Sequence, residues 1–139
     1  MDWITARYQC TPKYYLDKLV KIIGKDVSSF NKLSREKEPQ KLFKVEKTIS
    51  GGIRVFKGKY VVRNSKQLLV KDDEFSHDFV ELKLQNSKLI ASRVDQWKFE
   101  IKTKWNEETL ACNLYIEDGE FLSISILSQR IIGDFLFDD

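Results

Sequence analysis

A mostly β fold is what this sequence predicts: an up-and-down antiparallel barrel of about ten strands with a two-helix cap. Three observations predict it. Apolar and polar residues alternate with period two almost without interruption from Leu42 onward. Turn signals punctuate that stretch at short intervals. A helical pattern is confined to residues 11–33.

Trp3–Tyr8 reads as a short opening strand, rich in aromatic and β-branched residues. Thr11-Pro12 then opens a helix, because Thr can cap and Pro at the first helical position loses only an N–H that has no partner there. Leu16, Leu19, Val20 and Ile23 recur at helical spacing, and Gly24 is the expected stop. Asp26 can cap a second, shorter helix through Val27, Phe30 and Leu33. After Ser34–Lys41 the strands begin. Phe43, Val45 and Ile49 lead to the turn Ser50-Gly51-Gly52, and Gly58 inside the next strand suggests a bend or bulge. Leu68–Val70, Val80–Leu84 and Leu89–Val94 follow, with Asn86-Ser87 as a turn. The clearest strand is Trp97–Trp105, where Trp97, Phe99, Ile101, Thr103 and Trp105 face one way and lysines and Glu100 the other. Asn106–Glu108 turns into Leu110–Ile116. Asp118-Gly119 is a hairpin signal, with strands expected through Leu122, Ile124 and Ile126 and near Ile131–Phe137. Short turns make sequential strands pair, and closing such a meander removes its exposed edges.

Size and composition fit one domain over residues 1–139, with 42% apolar and 32% charged residues. The first residues carry a charge and no sustained apolar run, unlike a secretory signal, and no stretch approaches the ~18 apolar residues of a membrane span. The cysteines, Cys10 and Cys112, are too few for a secreted scaffold and fit a reducing compartment, so a cytoplasmic location is expected. Charge is unevenly spread: residues 1–71 hold 17 Lys and Arg against 6 Asp and Glu, and the remainder 7 against 15. Such asymmetry can mark a contact with nucleic acid or an anionic membrane, or basic strands pairing with acidic ones in one sheet.

The order of a strand, two short helices and nine strands resembles the intracellular lipid-binding family, the fatty-acid-binding proteins, in a chain of similar length. Trp3 stands where that family opens its first strand with an aromatic. Tyr14–Leu19 with Ile23-Gly24 is similar to its first helix. Arg63-Asn64-Ser65 followed by Glu74-Phe75 resembles a basic-Asn-Thr segment and a later Glu-Phe pair. Lys104-Trp105-Asn106 with Glu108-Thr109 resembles its Lys-Trp-Asp/Asn hairpin, and Asp118-Gly119 with Leu122 the hairpin after it. The resemblance implies a calycin-like barrel and a non-enzymatic, monomeric cytoplasmic carrier transporting one fatty acid or other lipophile. The family's opening Gly and Trp, its terminal Arg-x-Tyr and the arginine before the Asp-Gly turn are missing here. A buried carboxylate needs a cation and several donors; without them, fatty acids are expected to bind no better than matched neutral lipids.

Apolar lining is expected from Tyr15, Leu19, Ile22, Tyr60 and Val62, and a cation from Arg54, Arg63 or Arg93. Lys18, Lys21 and Lys25 form a basic helical surface that could dock on anionic bilayers. His77, the single histidine, reads as an ordinary loop residue; no metal-ligand spacing, phosphate loop or catalytic set stands out, and no cofactor is expected. Two other classes stay open: a protein-interaction module, and a single-stranded nucleic-acid binder using Lys44, Lys47, Arg54, Lys57, Lys59 and Arg63 with Phe56 and Tyr60 as stacking platforms.

Overall fold

The computed structural model describes residues 2–117 and 119–137. Its elements are α1 (Trp3–Tyr8), α2 (Pro12–Lys37), β1 (Leu42–Lys47), β2 (Ile53–Arg63), β3 (Lys66–Lys71), β4 (Phe79–Gln85), β5 (Lys88–Arg93), β6 (Trp97–Asn106), β7 (Ala111–Ile116) and α3 (Ile124–Phe137). The strands form one antiparallel sheet in the order β1-β2-β4-β5-β6-β7, curled like half a barrel. β4 pairs with the first half of β2, whereas β3 pairs with Gly58–Arg63 beyond it.

Turn chemistry fixes the register. Asn64-Ser65 and Asn86-Ser87 all have positive φ, 52° and 63° in the first pair and 53° and 62° in the second, which is the type I′ geometry that matches strand twist. Gly51 takes φ 87°, and a Cβ on Gly52 would lie 2.4 Å from the Leu82 carbonyl, so the β1–β2 turn requires both glycines.

The curled sheet holds α2 and α3 against its inner face. Leu16, Leu19, Ile23 and Val27 from α2 meet Ile53, Val55, Val80, Leu82, Leu89 and Ile101 from alternate strand positions. Leu127, Ile131 and Phe135 from α3 complete the core. Helices therefore occupy the space a ligand would take in a closed barrel.

Four expectations are corrected. Trp3–Tyr8 is a helix, because the Asp2 carboxylate accepts from the Thr5 N–H (2.7 Å) and caps it. The two short helices are one, since Gly24 does not stop α2 and Asp26 accepts a hydrogen bond from the Ser128 hydroxyl (2.7 Å) instead of capping. The stripe Leu16-Leu19-Ile23-Val27 carries the helix through the glycine, burial outweighing a propensity cost of about 1 kcal/mol. Ile124–Phe137 is a helix: the Ser123 hydroxyl accepts from the Ile126 N–H (3.2 Å), and Leu127, Ile131 and Phe135 lie on one buried face. Only Phe121 and Leu122 lie against β7 as a strand would. Asp118 of the expected hairpin lies outside the described residues. The sheet thus has seven strands and does not close as a ten-strand barrel.

The cysteines are also joined. A disulfide links Cys10, between α1 and α2, to Cys112 on β7, with Cα atoms 5.4 Å apart across 102 residues. Disulfides persist in oxidising surroundings, so the cysteine content no longer argues for a reducing compartment. Among the described residues, no helix is long and apolar enough to cross a membrane.

Candidate functional site

Two open grooves flank the helices. The larger, about 880 Å³, lies between α3 and the β6–β7 end of the sheet. Ile126, Gln129, Arg130, Gly133, Asp134 and Phe137 recur at three- and four-residue spacing and form its helical wall. Trp97, Phe99 and Ile116 form the other. Alternation along β6 explains this wall: Ile101 is fully buried under the helices, while Trp97 and Phe99, on the same face nearer the strand's start, emerge half-buried. Their rings stack with centroids 5.1 Å apart and 18° between planes. Phe137 is 71% exposed and Ile126 44% exposed, an apolar rim that the core does not use.

At one end the groove adjoins a recess lined by Arg93, Gln96, Trp97, Asp134 and Phe137. Arg93 is buried there, its Nε and Nη2 donating to the two Asp78 carboxylate oxygens at 3.1 and 3.0 Å, its guanidinium 4.9 Å from the Phe135 ring centre. Those hydrogen bonds hold the Asp78 carboxyl below its ordinary value, against the opposing effect of burial.

The second groove, about 660 Å³, runs between α2, the outer edge of β1 and the protruding β2–β3 hairpin. Gly24, Ser28, Asn31, Lys32 and Arg35 line it from the helix, Phe43 to Val45 from β1, and Tyr60 and Leu69 from the hairpin. Asn31 spans helix and strand edge, donating to the Phe43 carbonyl (2.8 Å) and accepting from its N–H (2.9 Å). Arg35 donates to the Tyr60 hydroxyl and lies 5.2 Å over its ring.

The expected ligand residues do not converge. Leu19 is fully buried in the core, and Tyr15 and Ile22 pack against that core half-buried. Arg54 is on the outer face of the sheet, 2.5 Å from Glu81 and stacked over Phe79. There the Glu81 carboxyl, raised by burial but lowered more by hydrogen bonds from Arg54 and Lys83, ends below its usual value. Val62 and Arg63 are exposed near the hairpin tip, and Arg93 is engaged by Asp78. Tyr60 lines the basic groove, Arg93 the recess beside the aromatic one, and Arg54 a third groove on the outer face with Phe56 and Lys71. Lys18, Lys21 and Lys25 do share the exposed face of α2, continuous with Lys32. His77 is exposed beyond the 3-10 turn Asp73–Phe75.

Trp97 and Phe99 were visible as one strand face but not as a site, because a closed barrel would have spread ligand contacts over every strand. Arg130, Gly133 and Phe137 were missed with the helix that carries them. The signal was present, since Leu127, Ile131 and Phe135 recur four residues apart. Comparison of the chain with protein-family models, with curated proteins and with solved structures returns no match.

Proposed function

We propose that the protein binds an amphipathic, largely apolar small molecule in the aromatic groove, as a carrier and without chemical change. One observation carries this reading: an apolar wall of stacked Trp97 and Phe99 faces a helix surface bordered by exposed Ile126 and Phe137 and left open at Gly133. The groove volume falls within the range usual for small-molecule sites. Arg130 and Gln129 supply polar contacts for a headgroup at the helical wall. The ligand class is that of the sequence reading; its place is an open groove rather than a barrel interior.

An open groove covers a chain on one side. Half-burying about sixteen methylenes at ~0.8 kcal/mol each gives on the order of 6 kcal/mol, a Kd in the tens of micromolar. Arg130 is exposed, so its attraction for a carboxylate is screened and worth about 1 kcal/mol or less.

Titration of the delipidated protein with palmitate and with hexadecanol, followed by tryptophan fluorescence, tests the reading. Both are expected to bind, within about tenfold of each other. Trp97→Ala should weaken both by about 2 kcal/mol, roughly thirtyfold, and Gly133→Leu should block both by filling the groove. Unchanged affinity in both variants would place the lipophile elsewhere and sink the proposal.

A further inference from the structure

The second groove carries a different occupant. β1 is an edge strand, paired with β2 on one side only. Phe43 turns its N–H and C=O away from β2, where the Asn31 amide completes both hydrogen bonds as a neighbouring strand would. In an antiparallel ladder every second residue faces the same edge, so Val45 presents its N–H and C=O in that direction too. Val45, half-buried against the core, also lines the groove. Opposite it the helix recedes: a Cβ built on Gly24 meets nothing within 4 Å. The groove is lined by Lys32, Arg35 and Lys44 and by no carboxylate, and the exposed Lys25 continues the same helix surface.

We infer that this groove receives an extended, acidic segment of another protein, which adds to β1 as a further strand. Main-chain hydrogen bonds at Val45 supply affinity, and alternate side chains of the added strand meet the helix wall and the cations, the mode of strand-addition complexes. Charge selects the partner: a basic or neutral segment gains the backbone pairing but not the attraction of three cations. This surface is separate from the aromatic groove, and the inference does not depend on a lipophile binding there.

The probe is a fluorescein-labelled eight-residue peptide of alternating Glu and Val, titrated by anisotropy at low salt. Binding is expected to slow hydrogen exchange at the Val45 amide. The same peptide N-methylated at alternate residues, which cannot pair along an edge, should lose binding. Lys32→Glu with Arg35→Glu should weaken it by about tenfold or more, and Gly24→Leu should block it. Because Arg35 also holds Tyr60, Lys32→Glu alone serves if the double variant fails to fold, and the N-methylated peptide needs no variant. Equal binding of the N-methylated peptide, or an unprotected Val45 amide, would overturn the inference. So would an inert peptide, whether or not phosphatidylserine vesicles or oligothymidylate bind the same cations.

Discussion

Gly24 on α2 and Gly133 on α3 each leave a gap beside a helix, but different parts of the sheet close the two gaps. Opposite Gly133 stand Trp97 and Phe99, side chains on the inner face of β6. Opposite Gly24 stands the edge of β1, where backbone groups and not side chains point outward. A helix lying on a sheet face leaves an apolar groove; a helix beside a sheet edge leaves one that offers hydrogen bonds. The same device, a missing side chain in a helix, therefore yields two sites of unlike chemistry. Phe30 touches both walls: its ring lies 5.5 Å from Phe43 in the basic groove and 5.1 Å from Phe137 in the aromatic one.

Both grooves lie at the margins of a sheet whose inside is core and not a ligand cavity, and Leu19 separates those cases. It is fully buried where α2 meets the sheet. Leu19→Ala should cost roughly 2–5 kcal/mol of unfolding free energy and leave palmitate binding close to wild type while the protein remains folded. Urea unfolding monitored by circular dichroism, with palmitate titration at low denaturant, checks both. A variant of normal stability but poor palmitate affinity would return the ligand to the interior.

How much of this was legible follows from what each segment's pattern depends on. β2, β4, β5 and β6 were legible because one face is buried and the other wet, so alternation has a fixed sign, and Asn86-Ser87 names its own turn. Gly24 misled because a glycine in a helix and a glycine ending one look alike locally; the buried stripe Leu16–Val27 decides, and it depends on a sheet assembled later in the chain. Leu122, Ile124 and Ile126 alternate like a strand, yet Ser123 caps a helix whose longer repeat, Leu127 to Phe135, wins on buried area. The grooves were not legible, for they exist only between elements distant in sequence. The basic half was visible as charge, and the structure divides it: Arg54 and Lys71 pair with Glu81 and Glu46 across the sheet, whereas Lys32 and Arg35 border a groove.

Acid should weaken the ion pair at the end of the aromatic groove. Asp78 titrates below its ordinary value of 3.8 because Arg93 hydrogen-bonds its charged form. A carboxyl depressed in the folded state adds stability that is fully present above its unfolded pKa and is lost as pH falls through the folded one. Thermal melts from pH 6 down to 2 should therefore show a loss beginning near pH 4, and Asp78→Asn should be less stable at pH 6 with a shallower fall. Glu81, also depressed, adds to the wild-type slope and persists in the variant. An unaltered slope in Asp78→Asn would show that the pair at the groove's end does not couple pH to stability.

The smallest effect tests the two gaps most directly. Glycine inside a helix is about 0.8–1 kcal/mol less favourable than alanine, partly because it frees the unfolded chain. That gain is realised only where a methyl group has room. At Gly24 a Cβ meets nothing within 4 Å, and at Gly133 its nearest neighbour is the Gln129 Cγ at 3.4 Å, ordinary contact with a flexible side chain. Gly24→Ala and Gly133→Ala should each raise stability by about 0.5–1 kcal/mol, with Gly24→Ala at least as large, and the double variant should sum the two because the added methyl groups have no contact in common. Chemical denaturation resolves differences of this size if the denaturant slope stays constant. Destabilisation by Gly24→Ala would mean that another part of the molecule fills the space beside β1, and the edge of that strand would then be closed to a partner; the same result at Gly133 would close the aromatic groove instead.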